Sequence, residues 1–364
     1  MFINQMEPLI EKEEQDAVAQ YMASGGWLTE HTKTQEFAKM IADYHKMKYG
    51  FIMANGTVSL VAALYACGVR AGDEVLVPAF TMVATANAVA LLGATVKFVD
   101  INKDTLCMDF FAMRKAITPK TRAVIVVTIN GRAPADLELF VPYCHDLGIW
   151  VIEDAAQSLG SKYRLEHLGT FGDIGSFSFS MPKIITTGQG GALITNNDML
   201  AERIKKARDF GREKPGADHY LEQGWNFKFT DLQAVIGIEQ MKKLDARLRR
   251  KWEIAELYHD LLRSVPGVHI PPYLSTGTVL WFIDILVDDR DGLQEYLASC
   301  SIGSRPFYPA LPSEPVYNRK DESYPVAEYI AKRGLWLPSS LTLTDDQIRL
   351  ICTAIMAYQT RRIT

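Results

Sequence analysis

Apolar and polar positions along this chain follow two rhythms, one helical and one strand-like, and the switching between them predicts most of its elements. Glu11 to Ser24 repeats apolar residues at helical spacing and stops at Gly25-Gly26, which predicts an amphipathic helix. A second helix is expected over Thr34 to Tyr44, followed by a strand, Tyr49 to Met53. The turn Ala54-Asn55-Gly56-Thr57 then opens a helix over Val58 to Cys67. Strands are predicted at Glu74–Pro78, Thr95–Asp100, Ala123–Thr128 and Trp150–Asp154, with helices between them at Thr85–Leu92, Asp109–Ala116 and Leu137–Leu147.

The run Ala123–Thr128 is too continuously apolar for a half-exposed strand and suits a sheet covered on both faces. The alternation as a whole predicts a mostly parallel sheet flanked by helices. In such sheets ligands sit at the carboxyl ends of strands, where Asn55, Thr81, Asn130 and Asp154 fall. Further strands are expected at Ser176–Ser180 and Ala192–Thr195, then a helix from Asp198 to about Phe210 and a mobile loop over Glu213–Gln223. Helices over Asp231–Leu244 and Ala246–Val265 lead into a second domain. That domain should hold a strand within Gly277–Val287 and helices starting near Asp291, Pro325 and Thr344. The expected division is a large domain, 1–245, and a small one, 246–364.

The 364 residues suffice for one large core and a companion domain, and 48% hydrophobic with 23% charged residues is an ordinary globular balance. A net charge of −4 gives no electrostatic case for nucleic acid or an anionic membrane as partner. The basic run Arg247-Leu248-Arg249-Arg250-Lys251 reads as a solvated helix face. Five scattered cysteines with no CxxC favour reduced thiols over disulfides or a metal site, so no metal is expected. Met1 to Asp16 carries four glutamates and no signal-peptide pattern, and no apolar stretch is long enough to span a bilayer. A cytoplasmic protein is expected.

Against this background Lys183 stands out. It follows the strand-like Ser176–Ser180 and precedes Gly188-Gln189-Gly190-Gly191, and Asp154 closes a strand roughly thirty residues earlier. Most single lysines are simply exposed, but this company is what pyridoxal 5'-phosphate requires. A lysine forms a Schiff base with the aldehyde and shuttles a proton, and a carboxylate keeps the pyridine nitrogen charged. Asp154 read alone could be a helix N-cap for Ala155-Ala156-Gln157. Gln157, one turn on, could bond the ring oxygen or be an ordinary polar helix residue, while Gly56, Thr57 and Ser178 form a candidate phosphate cup. Asn226, between Trp225 and Phe227, could equally be a turn residue.

With these residues in view, the sequence resembles the DegT/DnrJ/EryC1/StrS sugar-nucleotide aminotransferases, a branch of fold-type I pyridoxal-phosphate enzymes. The resemblance rests on Asn55-Gly56-Thr57, Gly72-Asp73-Glu74-Val75, Glu153-Asp154-Ala155-Ala156-Gln157 and Gly169-Thr170-Phe171-Gly172-Asp173. It extends through Ser176–Phe179, Lys183 with Thr187–Gly191, and Gly224-Trp225-Asn226-Phe227-Lys228. It implies a large α/β domain with a seven-stranded, mostly parallel sheet and a smaller α+β domain. It also implies Lys183 as the cofactor-bearing lysine, Asp154 on the ring nitrogen, Gln157 on the ring oxygen, and Gly56, Thr57 and Ser178 on the phosphate. Asn226 would reach the phosphate of a neighbouring subunit, hence a homodimer with shared sites.

The sequence departs from the family pattern in places. Met82 stands where an aromatic ring usually stacks on the cofactor, Pro182 precedes the lysine, and Ala310-Leu311-Pro312 replaces a histidine-bearing stretch. Relatives with histidine in place of the lysine are dehydratases, and Lys183 argues against that chemistry. The expected reaction is transfer of an amino group from L-glutamate to a nucleotide-linked keto-deoxysugar. The Arg305-Pro306-Phe307 and Gly224–Asp231 stretches resemble the C4-aminating branch, with GDP-4-keto-6-deoxymannose as first candidate and dTDP- or UDP-linked keto sugars as alternatives. Arg305, Lys228 and Tyr308 are candidate substrate contacts. A non-catalytic cofactor-binding regulator is the alternative of another class.

Overall fold

The computed structural model describes residues 2–272, 277–319 and 321–363. Two helices, α1 (Lys12–Ala23) and α2 (Thr32–Tyr44), precede an alternating series: β1 (Tyr49–Met53), α3 (Gly56–Ala66), β2 (Glu74–Pro78), α4 (Ala84–Leu91), β3 (Thr95–Val99), α5 (Phe110–Ala116), β4 (Thr121–Val127), α6 (Leu137–His145) and β5 (Trp150–Asp154). A small hairpin, β6 (Lys162–Tyr163) and β7 (Glu166–His167), leads to β8 (Ile174–Ser178), β9 (Gly191–Thr195) and α7 (Asp198–Arg208). Then come α8 (Asp231–Lys242), α9 (Leu244–Leu262), β10 (Val268–His269), β11 (Ile283–Val287), α10 (Arg290–Ser299), β12 (Arg305–Pro306), α11 (Pro325–Arg333), β13 (Gly334–Leu337) and α12 (Asp345–Ile363).

Seven strands form one sheet in the order β1-β9-β8-β5-β4-β2-β3. Only β9 runs against its neighbours, so the sheet is mostly parallel as expected. Strand side chains alternate between faces. Val75, Val77, Ile125, Val127 and Ile152 therefore enter one core with α3 and α4. Their neighbours Leu76, Val124, Val126 and Val151 enter another with Phe110, Met113 and Phe140 of α5 and α6. Both faces are covered, which accounts for the uninterrupted apolar run in β4.

A four-stranded antiparallel sheet, β10-β11-β13-β12, packs with α9, α10 and α12 around a separate core. Ile3 belongs to that core and bridges Ile302, so the start of the chain crosses to its far end.

Two local expectations need correction. The strand expected within Gly277–Val287 begins only at Ile283. The residues before it satisfy their backbone against the large sheet's loops instead, through Lys162 N to Gly277 O (2.8 Å), Val279 N to Ser161 Oγ (3.0 Å) and Phe282 N to Asn130 Oδ1 (2.7 Å). The basic run on α9 is not uniformly solvated. Arg247 and Lys251, four residues apart, share the inward face and are buried. Arg247 donates to Gln240 Oε1 (2.5 Å) and Leu9 O (2.9 Å), and Lys251 Nζ to Trp281 O (2.7 Å) and Ser339 O (2.5 Å).

Candidate active site

A cavity of about 760 Å³ opens at the carboxyl ends of β1, β5 and β8. Its lining includes Asn55, Gly56, Thr57, Thr81, Met82, Thr85, Asp154, Gln157, Ser178, Ser180, Lys183 and Gln189. Residues far apart in sequence meet here because parallel strands deliver their ends to one edge of the sheet.

Asp154 is the last residue of β5, and its side chain turns toward the cavity while that of Glu153 turns away. Glu153 accepts the backbone N–H groups of Gly169 and Phe171 (3.0 Å), so it braces the Gly169–Gly172 turn. Asp154 Oδ2 accepts the Thr85 hydroxyl at 2.8 Å and Oδ1 the Ala156 N–H at 3.2 Å. Burial raises its carboxyl above the usual range, opposed by Thr85, Ala156 and the charge of Lys183. Among the described residues no cation stands within ion-pairing distance of it. A buried acid in this state has one strong use, a cationic N–H donor entering the cavity.

Lys183 sits in the loop after β8, its N–H bonded to Ser180 O at 3.0 Å. Nζ lies 4.0 Å from the ring centroid of Trp281, and the indole N–H donates to Pro182 O at 2.5 Å. Burial lowers the amine to about 8, with Asp154 opposing and Arg305 assisting that fall. A partly neutral amine at physiological pH is what a nucleophile and proton carrier needs.

The anion seat is formed by α3 and β8. Asn55 caps the helix by accepting the Val58 N–H (3.0 Å), and the first-turn amides of Gly56 and Thr57 have no partner within the helix. Ser178 Oγ lies 3.4 Å from Ser180 Oγ. A Cβ on Gly56 would stand 2.9 Å from the Ser178 Cβ, so any larger residue would crowd the cradle. Phosphate at this end and a pyridinium beside Asp154 fit the residues present.

Gln157 lines another side, and Tyr308 is buried behind it. Gln157 Nε2 lies 3.4 Å from the Tyr308 hydroxyl, which burial pushes up to about 12. Met82 lines the cavity but stays exposed, its sulfur accepting the Ala84 N–H at 3.0 Å. Besides Tyr308, three candidate residues do not line the cavity in the isolated chain. Asn226 is exposed beside Asp209, and Lys228 Nζ is paired with Asp209 at 2.5 Å. Arg305 is exposed on β12, its guanidinium 5.6 Å from the Tyr308 ring and 5.5 Å from that of Trp336.

Two residues at the site were not anticipated. Thr85 lies one helical turn beyond Thr81, and the pair is 3.1 Å apart at the hydroxyls, a spacing that could have signalled it. Trp281 comes from the segment just before β11, and nothing in its local pattern indicates that it underlies Lys183.

A parallel sheet carrying a buried acid, a lysine amine and an anion seat at one edge is the framework of a pyridoxal-phosphate-dependent aminotransferase. Residues 8–356 match the DegT/DnrJ/EryC1/StrS aminotransferase family, and the chain belongs to that family. It is 34% identical over 360 residues to a GDP-perosamine synthase of Escherichia coli O157:H7, covering 98% of each chain. A dTDP-4-dehydro-2,3,6-trideoxy-D-glucose 4-aminotransferase of Saccharopolyspora spinosa is 30% identical, over 96% of this chain and 94% of its own. Among solved structures, the aminotransferase TlmJ from Streptoalloteichus hindustanus matches with a TM-score of 0.94 at 30% identity, over 100% of both chains. The protein is therefore a sugar aminotransferase that uses pyridoxal phosphate.

Proposed function

We propose that the enzyme moves the amino group of L-glutamate onto C4 of a nucleotide-linked 4-keto-6-deoxysugar, with GDP-4-keto-6-deoxymannose as acceptor and GDP-perosamine as product. The observation that carries this reading is the single cavity lined by Lys183, Asp154 and the Gly56–Thr57–Ser178 seat. When bound, the cofactor supplies an aldehyde that exchanges for an amine and a ring that accepts the electron pair freed at carbon.

The chain's own residues do the rest. Asp154 would hold the ring nitrogen's proton, Gln157 would donate to the ring oxygen, and Met82 would meet the ring. The amides of Gly56 and Thr57 with the Ser178 hydroxyl hold the phosphate. Lys183 anchors the cofactor and then, as free amine, takes a proton from one carbon and returns it to the next. Arg305 and Tyr308 meet the donor carboxylate or the sugar diphosphate, a task suited to a guanidinium fork. Asn226 and Lys228 do not line the cavity of their own chain, which favours their serving the site of a second copy in a homodimer.

Residues 1–245 form the cofactor-holding body and 246–364 the smaller one, onto which Ile3 also packs. No helix among the described residues is long and apolar enough to cross a membrane, in keeping with a cytoplasmic enzyme. Likeness to the Escherichia coli enzyme across 98% of the chain supports the GDP-linked acceptor. The Saccharopolyspora relative makes a dTDP-linked sugar the second reading.

The test is glutamate-dependent amination of GDP-, dTDP- and UDP-linked 4-keto-6-deoxysugars, followed by mass spectrometry. Preference for the GDP compound is expected. Turnover of only the dTDP or UDP compounds would replace that acceptor, and failure to turn over any of the three would remove the C4 assignment.

A further inference from the structure

The turn after β4 carries an arrangement that the cofactor contacts alone do not require. Asn130 is buried and adopts a left-handed backbone conformation (φ 52°, ψ 29°), uncommon for a residue with a side chain. Its N–H donates to Gln157 Oε1 at 2.7 Å. Its side chain grips the second body from the other direction: Oδ1 accepts the Phe282 N–H (2.7 Å), while Nδ2 reaches Phe282 O (2.8 Å) and Asp284 Oδ2 (2.7 Å). Gly131 follows with φ 86°, and a Cβ there would stand 2.1 Å from Val279 O, so the turn is pressed onto that body. Arg132 completes the joint with two bonds to the Asp284 carboxylate, 2.6 and 2.8 Å, both side chains being buried.

The Asn130 N–H fixes which end of the Gln157 amide faces it: the oxygen turns toward Asn130 and the NH2 group turns the other way. One hydrogen on Gln157 Nε2 points toward Tyr308, leaving the other for the cavity that Gln157 lines. We propose that Asn130 is a positioning residue: it locks the Gln157 amide with its N–H side toward the cofactor's ring oxygen, and it is itself held by Phe282 and Asp284. The second body thereby sets the orientation of a cofactor contact in the first. The inference rests on the reading of Gln157 as the ring-oxygen partner.

A donor to the ring oxygen favours the more negative form of the bound cofactor, so it lowers the pH at which the visible absorbance band titrates. The test is that titration on cofactor-loaded, full-length protein. Asn130→Ala should raise the titration pH by about one unit. Gln157→Ala should raise it at least as far, and the double variant should match Gln157→Ala alone, because Asn130 acts only through the amide. Asn130→Gly keeps the left-handed turn accessible while removing the grip on Phe282. It should shift the titration in the same direction, and it carries the test if Asn130→Ala does not fold. A shift with Gln157→Ala but none with either Asn130 variant would overturn the positioning role alone, as would additive shifts in the double variant. No shift with Gln157→Ala would overturn the ring-oxygen reading itself, and the inference with it.

Discussion

The cofactor seat and the residues assigned to substrate are built in contrasting ways. Asp154 and Ser178 close strands, Gly56 and Thr57 open α3, and Gln157 sits in the turn after β5; Asp154 and Gln157 are tied by hydrogen bonds of 2.8 and 2.7 Å to Thr85 and Asn130. Arg305, Lys228 and Asn226 sit on a two-residue strand and on the loop before α8; Arg305 and Asn226 are exposed, and Lys228 is engaged with Asp209. A ligand common to a whole family can be held by backbone geometry that the sheet enforces. A ligand that differs among relatives is met by loops, where side chains change without cost to the core.

That contrast can be broken first at Lys183. Lys183→Ala removes the proton carrier and should lower turnover by about 10²–10⁴-fold, read from the glutamate-dependent loss of the visible band. A loss of less than tenfold would move the chemistry off this residue.

The exposed half should respond across subunits. Asn226→Ala and Lys183→Ala should each be poorly active. Dissociated, mixed and reassembled, they should recover about a quarter of the wild-type rate, because half of the dimers are hybrids and each hybrid holds one intact site. No recovery from verified hybrids would make each site the property of a single chain.

The smallest effect concerns the amine itself. Since burial lowers Lys183 to about 8 from the 10.5 of an ordinary lysine, cofactor uptake by the stripped protein should accelerate with pH and level off near 8. A rise continuing toward 10.5 would show an amine in contact with water throughout.

Much of this arrangement was legible in the chain because each buried strand of the large sheet is a short apolar run punctuated by turn residues. β4 announced its two-sided burial, and Glu153-Asp154 marked a strand end where alternation sends one carboxylate to a structural turn and the other to the cavity. The four-stranded sheet was harder to read. β12 spans only Arg305–Pro306, and β13 continues directly from α11, so neither carries a periodic signal. The stretch before β11 looks like strand by composition, yet its backbone is satisfied by Ser161 and Asn130, partners more than a hundred residues away. Trp281 and the Asn130 joint were invisible for the same reason: their roles come from packing between segments far apart in the chain, a contact the sequence does not record. Arg247 and Lys251 were misread because charge suggests solvent, whereas here backbone carbonyls accept their hydrogen bonds.

The most direct measurement is borohydride reduction of the cofactor-loaded protein, followed by proteolysis and mass spectrometry of the modified peptide. The account requires the added mass on the peptide bearing Lys183 and on no other. Finding it on Lys251, a buried lysine bonded to Trp281 O, or on any peptide without Lys183, would contradict the account at its root.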